Sequence, residues 1–264
     1  MAHMFIFGLG YSAKVIKSSL ERIGWSVSAT GREGDFAFAD TRAVQTALER
    51  ASHVLSSVPP AEEVDPVLET YGDALGKRWL GYLSSSGVYG DTGGAWVDES
   101  APTGTGRRTA RAEADARWLD LGARVFRLPG IYGPGRSALE RVRSGRARRI
   151  DLPGQVFSRV HVEDIARGVI AALEAPNGAY NLADDLPASQ NDVVEEACRL
   201  LGVEAPPLLS LEAADLSPTA RGFYAENRRV ANGKARRLLG WRPRYPTYRE
   251  GLRALARRSW PAAQ

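Results

Sequence analysis

The residues best suited to bind a ligand lie near the start of the chain, where closely spaced small residues follow a short apolar run. Residues 5–7 predict a buried strand, and Gly8, Gly10 and Ala13 form a G-x-G-x-x-A turn before a helical pattern. Gly8 would permit a tight turn, Gly10 would let the backbone approach a pyrophosphate, and Ala13 would let the helix pack closely on the strand. Unpaired N–H groups at the start of the helix would then bind the phosphates. The alternative is an ordinary strand-to-helix turn of another α/β protein.

The residues after the second predicted strand indicate which dinucleotide would bind. An acidic residue about 20 positions after the glycines usually binds the adenosine ribose, but this chain has Thr30, Gly31 and Arg32 there. A carboxylate would repel a 2′-phosphate, whereas Arg32 could pair with it through two charge-assisted hydrogen bonds. The pattern predicts NADP rather than NAD, with NADPH bound at least about tenfold more tightly than NADH. A solvated surface arginine is the alternative, and the neighbouring Glu33 weakens the preference.

The elements that would position these residues follow one another in a regular alternation. Apolar runs predict strands at 25–29, 53–58, 79–84 and 123–128, and helical spacing predicts helices at 42–50, 64–75 and 107–121. This alternation predicts an α/β fold, a doubly wound Rossmann parallel sheet covered by helices on both faces. Ligands bind such sheets at the carboxyl ends of the strands.

The regular alternation of predicted strands and helices ends after Pro129, and this change suggests the domain organisation. The sequence predicts a loop at 130–135, a helix at 137–144, an irregular basic stretch at 146–153, a strand at 157–161 and a helix at 163–173. We expect residues 1–178 to form the Rossmann NAD(P)-binding domain, with a cap insertion near 130–155. Residues 179–264 would form a smaller, mostly helical C-terminal substrate-binding cap that closes the cleft.

Composition narrows the class of protein. The chain has 264 residues and a formal charge of +4, but its basic residues are spread out and not interleaved with aromatics as in a nucleic-acid groove. Its single cysteine, Cys198, excludes an intrachain disulfide framework and suits a reducing compartment. No apolar run approaches the ~20 residues needed to cross a membrane, and no leader sequence is expected. We therefore expect a cytoplasmic protein with neither a nucleic-acid nor a membrane partner.

Six stretches together resemble one family. They are GLGYSA at 8–13, LSSSGVYG at 83–90, RLPGIYGPG at 127–135, VHVEDIA at 160–166, YNLADD at 180–185 and LGWRP at 239–243. In this order they resemble the extended short-chain dehydrogenase/reductases, in particular the sugar-nucleotide epimerase and dehydratase branch. The match covers nearly the whole chain and is closest to an atypical NAD(P)-dependent epimerase/dehydratase-like subgroup.

The resemblance also shows where the catalytic pattern of that family is broken. In the family, a Ser or Thr before V-Y-G polarises the substrate carbonyl or hydroxyl, and a Y-x-x-x-K pair on the next helix supplies acid and base. Ser85 matches the first role, four residues before Tyr89. The positions of the pair hold Arg107 and Arg111, which stay charged and cannot exchange protons. The usual proton relay is therefore missing.

Other groups could take over proton transfer. Tyr89 and Tyr132 follow strands that should point toward the cofactor, although each ring could instead pack under a loop. His161 has a suitable ordinary pKa, with ordering of the next helical turn as the alternative, and Asp164 is predicted to cap that helix. The candidate catalytic residues are Ser85, Tyr89, Tyr132 and Arg111, and no metal site is predicted.

The resemblance implies further contacts. Residues 56–59 would lie beside the nicotinamide ribose, and Arg111 could bind ribose hydroxyls or a phosphate. The predicted cofactor-binding residues are Gly8, Gly10, Tyr11, Ser12, Ala13, Thr30, Arg32, Ser56, Ser57, Pro59 and Arg111. The arginines at 141–149 lie where relatives bind a substrate diphosphate, with a solvated face as the alternative. The helix at 107–121 could contribute to a homodimer.

Two classes of function remain open. The first is an NADP-binding oxidoreductase or epimerase/dehydratase-like enzyme that acts on a small carbonyl or hydroxyl compound, or on a nucleotide sugar. Without a positioned acid, its turnover should be slower by about 10²–10⁴-fold, unless the reaction needs none. The second is a non-catalytic NADP(H)-binding sensor or scaffold protein.

Overall fold

A parallel six-stranded sheet forms the centre of the protein in the computed structural model, which describes residues 2–107 and 109–259. In chain order the strands are β1 (His3–Phe7), β2 (Ser26–Ala29), β3 (His53–Ser56), β4 (Trp79–Ser85), β5 (Trp96–Val97), β6 (Arg124–Leu128), β7 (Gly130–Tyr132), β8 (Arg149–Ile150), β9 (Arg159–His161), β10 (Gly178–Asn181), β11 (Leu208–Leu209) and β12 (Arg229–Val230). The central sheet has the order β10-β6-β4-β3-β1-β2. The glycine turn follows β1 and Ser85 ends β4, so only β3 separates the two strands that carry them.

Helices cover both faces of this sheet. In chain order the helices of the protein are α1 (Tyr11–Glu21), α2 (Thr41–Arg50), α3 (Pro66–Tyr71), α4 (Thr109–Asp120), α5 (Ala138–Arg143), α6 (Val162–Ala171), α7 (Gln190–Leu201), α8 (Pro218–Tyr224), α9 (Gly233–Leu239) and α10 (Tyr248–Ser259), with short 3₁₀ turns at Gly72–Ala74 and Ser86–Tyr89. None of the helices within the described ranges is both long and apolar enough to cross a membrane.

The alternation of side chains along β1 shows why both faces are covered. Met4 and Ile6 belong to the core shared with α1 and α6, whereas Phe5 and Phe7 belong to the core shared with α2, α3 and α4. Successive strand residues point to opposite faces, so an entirely apolar strand needs a helical layer on each side. The predicted doubly wound α/β fold is confirmed.

Several predicted boundaries need correction. The predicted loop at 130–135 contains β7, which pairs with β9, and the stretch at 146–153 contains β8, which pairs with β11. These strands have only two or three residues, too few for a periodic pattern to appear in the sequence. Helix α4 ends at Asp120, before the predicted end, and Leu121 is exposed.

The last helix packs against elements outside the central sheet. Helix α10 contacts α7, α5 and β9, and an apolar cluster that includes Tyr132, Leu139, Val193 and Leu252 fills the space between them. The division at residue 178 stays a prediction, while β10 carries the central sheet on to Asn181.

Candidate functional site

The glycine turn after β1 is held in its conformation by contacts with Val58 and Thr30. Gly8 has a φ of +83°, and a Cβ built there would lie 2.9 Å from Cγ2 of Val58. The N–H of Gly8 donates to Oγ1 of Thr30 at 3.0 Å, and the N–H of Leu9 donates to the carbonyl of Thr30 at 2.8 Å. Thr30 is buried, so the structure places it as a support of the turn rather than on its open side.

The second glycine of the turn faces open space. No described atom lies within 4 Å of a Cβ built on Gly10. Gly10 is the N-cap residue of α1, and no side chain of the described residues caps that end of the helix. Helix N–H groups without an internal partner, together with the helix dipole, favour an anion. Ser12 and Ala13 are buried, and Ala13 belongs to the apolar core between α1 and the sheet. The turn therefore fits a pyrophosphate.

A second loop crosses the same region. The hydroxyl of Tyr11 donates to the carbonyl of Pro134 at 3.0 Å. The guanidinium of Arg136 lies 5.6 Å from the centre of the Tyr11 ring. Tyr11 therefore ties the glycine turn to the loop after β7, and places a second exposed arginine near the start of α1.

The loop after β2 reaches the other side of the turn. Gly31 has a φ of +139°, and a Cβ built there would lie 3.1 Å from the nitrogen of Leu9. Arg32 is exposed and forms no hydrogen bond or ion pair with the other described residues. Glu33 forms an ion pair with Lys14 of α1, and the Lys14 ammonium holds the pKa of the Glu33 carboxyl below its usual range.

Three further predicted cofactor contacts lie at the end of β3, the strand between β1 and β4. Ser56 is fully buried, and its Oγ lacks a hydrogen-bond partner among the described residues. The N–H of Ser57 donates to the carbonyl of Phe7 at 2.8 Å, which joins this strand end to the glycine turn. Pro59 is exposed. The structure thus brings the ends of β1, β2 and β3 together, and the contacts with a cofactor stay a prediction.

Ser85 ends β4 and is half-buried. Its Oγ accepts a hydrogen bond from the N–H of Gly87 at 3.1 Å, which starts the 3₁₀ turn at Ser86–Tyr89. Because a hydroxyl has one donor as well as two acceptor sites, the Ser85 O–H stays available to donate to a substrate oxygen.

Arg111 extends from α4 along β4. One guanidinium nitrogen, Nη1, donates to the hydroxyl of Tyr82 at 2.9 Å and to the carbonyl of Leu83 at 3.3 Å. Burial raises the pKa of Tyr82, which keeps its hydroxyl protonated. The cation therefore lies near the carboxyl half of β4, and its role toward a ligand stays a prediction.

A buried polar network lies behind Ser85 and was missed by the sequence analysis. Asp115 accepts from Nη2 of Arg127 at 2.7 Å and from the hydroxyl of the neighbouring Ser84 at 2.6 Å. Nη1 of Arg127 donates to the hydroxyl of Tyr89 at 3.1 Å, which itself donates to Oδ1 of Asn181 at 2.8 Å. The spacing of Asp115 from the buried Trp118, three residues later on α4, was the available signal.

This network favours the structural interpretation of Tyr89. The side chain is 2% exposed, both of its hydroxyl bonds go to buried groups, and burial raises its pKa. Tyr132 is also buried, packs closely on Gly251 of α10, and has a pKa raised by burial. Neither hydroxyl lies free on the open side of the sheet, so their predicted catalytic role gains no support from their positions.

His161 orders the start of α6. Its Nδ1 accepts a hydrogen bond from the N–H of Glu163 at 3.2 Å, and burial lowers its pKa to about 4. The prediction that Asp164 caps this helix is wrong. Its carboxylate instead accepts from the N–H groups of Arg244 at 2.6 Å and Tyr245 at 3.1 Å. A contact over 80 positions leaves no signal in a single sequence.

Parts of the basic stretch are bound within the protein itself. Arg149 forms an ion pair with Glu195 of α7 at 2.6 Å and donates to the carbonyl of Pro206. Arg148 donates to the carbonyls of Gly145 and Ala147. Contact of this stretch with a substrate diphosphate therefore stays a prediction. No cluster of side chains able to hold a metal ion occurs in residues 2–107 and 109–259.

Comparisons with known proteins complete the description of the site. No protein-family model matches the chain. A conserved protein of unknown function from Silicibacter pomeroyi DSS has 39% identity and a TM-score of 0.87, over 98% of this chain and 99% of that protein. The 3-diazoavenalumate denitrifying reductase of a Streptomyces species is 31% identical over 201 residues, which are 68% of this chain and 65% of that reductase.

A more distant structure identifies the fold. The human epimerase family protein SDR39U1, solved with NADPH, has a TM-score of 0.77 at 17% identity, over 96% of this chain and 99% of that protein. The chain therefore belongs to the same family as the Silicibacter pomeroyi protein, and it has the fold of the extended short-chain dehydrogenase/reductases.

Proposed function

We propose that this chain is an NADP-binding oxidoreductase that reduces a small molecule held beside Ser85. The observation that carries the proposal is the open glycine turn, where the uncapped start of α1 and the space above Gly10 fit a pyrophosphate. Arg32, exposed and without a partner among the described residues, would pair with a 2′-phosphate. The similarity to a reductase and to a protein solved with NADPH supports the same cofactor class.

The ends of β3 and β4 would hold the reactive half of the cofactor. Ser56 ends β3 and Ser57 follows it, beside the glycine turn, and Arg111 lies along the carboxyl half of β4. When bound, a nicotinamide supplies or accepts a hydride. Ser85 would orient the acceptor through its free O–H, and Arg111 would bind ribose hydroxyls or a phosphate of the cofactor without taking part in proton transfer.

The lack of a positioned acid favours acceptors that need a hydride alone. A carbonyl that receives a hydride must also receive a proton at oxygen, and Tyr89, Tyr132 and His161 are all buried. A cationic acceptor is neutralised by the hydride itself. An iminium ion becomes an amine, and a diazonium ion becomes a C–H product with release of N₂, so neither needs a proton from the protein. The diazo substrate in the name of the Streptomyces reductase is consistent with this class.

The test combines binding with turnover. NADPH fluorescence should rise and saturate on titration with the protein, and NADPH absorbance should then fall in the presence of an iminium or aryldiazonium salt. Carbonyl compounds and nucleotide sugars should react about 10²–10⁴-fold more slowly. Ser85→Ala should lower turnover without changing NADPH affinity. Turnover that is unchanged in Ser85→Ala contradicts the proposed pocket.

A non-catalytic NADP(H) sensor or scaffold is the second candidate. The observation that favours it is the buried ion pair of Asp115 and Arg127, which occupies the helix and strand behind Ser85 without leaving a group that exchanges protons. Saturable NADPH binding, with no oxidation by any acceptor in the panel, would favour this candidate over the enzyme.

A further inference from the structure

We propose that the ion pair between Lys14 and Glu33 is opened by the 2′-phosphate of NADP, so that Lys14 becomes the second cation of that phosphate site. The inference rests on the proposed binding of NADP. It adds a residue from α1 to a site for which the sequence offers only Arg32. It also gives Glu33 a specific role, as an internal carboxylate that competes with the phosphate.

The position of the pair joins the two segments that border the expected phosphate. Lys14 lies in the first turn of α1, and Glu33 directly follows Arg32 in the loop after β2. The Lys14 Nζ and an Oε1 of Glu33 are 2.6 Å apart. The Lys14 ammonium therefore lies at the loop that presents Arg32, although 18 positions separate these two residues in the chain.

The ion pair between Lys14 and Glu33 contributes little to the stability of the fold. The side chains of Lys14 and Glu33 are 45% and 68% exposed, and exposed ion pairs add little to stability. Each partner could therefore exchange the other for a ligand group or for water at small cost. A lysine is suited to such an exchange, because its ammonium is a point charge on a flexible stem.

Charge decides the direction of the exchange. A phosphate monoester carries about −1.5 to −2 at neutral pH, whereas Glu33 carries at most −1. The Lys14 ammonium keeps the pKa of Glu33 low, so this carboxyl is ionised and would repel a phosphate bound at Arg32. When NADP binds, Lys14 would move from Glu33 to the 2′-phosphate. Its ammonium would then stabilise the bound phosphate instead of pairing with the Glu33 carboxylate. With NAD no 2′-phosphate is present, so the pair stays closed.

The same helix offers a matched control. Lys17, about one turn further along α1, forms an ion pair with Glu21 at the same distance of 2.6 Å, with side chains 26% and 46% exposed. Its ammonium also donates to the carbonyl of Val27. This second pair is not attached to the loop after β2, so its removal tests whether any lysine on α1 attracts the dinucleotide through general charge.

The experiment measures affinity and does not depend on turnover. The dissociation constants of NADPH and NADH are measured by fluorescence titration for the wild type and for Lys14→Gln, Glu33→Gln, Lys17→Gln and Arg32→Gln, at low and at high salt. Lys14→Gln should lower the preference for NADPH by about 3- to 10-fold, and Glu33→Gln should raise it by about 2- to 5-fold. Lys17→Gln should change it by less than about twofold. The effect of Lys14→Gln should shrink at high salt.

The results separate this inference from the proposed function. If the wild type prefers NADPH and Arg32→Gln removes the preference, but Lys14→Gln behaves like Lys17→Gln, the inference is overturned and the proposed function stands. A Glu33→Gln variant that binds NADPH more weakly would also overturn it, because the carboxylate would then assist binding. If the wild type binds NADPH and NADH equally, the proposed NADP site itself fails.

Discussion

The glycine turn and the region behind Ser85 use their polar groups in opposite ways. At the turn, the start of α1 has no side-chain cap, Gly10 faces open space and Arg32 is exposed. Behind Ser85, charged and polar side chains from α4, β6 and β10 bond to one another and are buried. The first region keeps its polar groups free for a ligand, and the second uses them within the fold.

The buried region shows why polar groups inside the fold must bond to one another. A buried carboxylate and guanidinium are tolerated only when their partners are in place, because burial of either charge alone is costly. Asp115 has Arg127 and Ser84, and Arg127 also reaches Tyr89. These groups support β4 from behind, while Ser85 remains the polar group at its end.

The largest expected effect tests the buried polar region behind Ser85. Asp115→Ala leaves Arg127 buried without its counter-ion and should lower the free energy of unfolding by about 3–5 kcal/mol, measured by urea denaturation. Glu69→Ala is the control, because it removes the exposed ion pair with Arg117 of the same helix. That pair should be worth less than about 1 kcal/mol. Equal losses in the two variants would show that burial does not set the two regions apart.

The next effect tests the glycine turn. Gly10→Val should weaken NADPH binding by about 100-fold or more, because the new side chain would occupy the space above the helix start and block its N–H groups. The unfolding free energy should change little, since Gly10 has an extended backbone with a φ of −85° and open space at its Cβ position.

Gly8→Ala provides the contrast for Gly10→Val. Its φ of +83° and the contact with Val58 should make this substitution destabilising by about 1 kcal/mol or more. Denaturation and NADPH titration of both variants separate a lost binding surface from a strained turn. A Gly10→Val variant with wild-type affinity would remove the glycine turn from the proposed site.

The last effect is a dependence of stability on pH, and it concerns a buried carboxyl three residues after Asn181. Asp184 is 2% exposed, and burial raises its pKa to about 8, although Arg159 and the N–H of Leu186 act in the opposite direction. Unfolded, an aspartic acid has a pKa near 3.9. The folded state therefore binds the proton more tightly, and Asp184 should make stability fall as the pH rises from about 4 to about 8.

Asp184→Asn should remove this slope and raise the unfolding free energy at pH 8 by about 1–3 kcal/mol, with little change at pH 4. His161 contributes the opposite slope below its ordinary pKa, since burial lowers its pKa to about 4. It is present in both proteins, so the difference between them isolates Asp184. A difference that does not grow with pH would show that the carboxyl is ionised in the folded protein.

Particular residues show where prediction from the sequence succeeds. The G-x-G-x-x-A turn and the alternation of apolar strands with helices depend on neighbours within a few positions, and both are found as expected. The N-terminal turn of α6 was assigned to Asp164, but His161 caps it, because the backbone of residues 244–245 takes up the Asp164 carboxylate. Asp115 was missed, since its partner Arg127 lies on a strand of the sheet beneath its helix.

The sequence by itself determined the parallel α/β sheet, the glycine turn and the loss of the Tyr-x-x-x-Lys pair, because local spacing and residue type are sufficient for these. Only the tertiary structure decided which polar side chains are free. Tyr89 and Arg32 both carry polar groups in the sequence. In the structure, Tyr89 is buried and bonds to Arg127 and Asn181, whereas Arg32 is exposed. Burial depends on contacts between distant segments, and it decides whether a polar group stabilises the fold or remains available to a ligand.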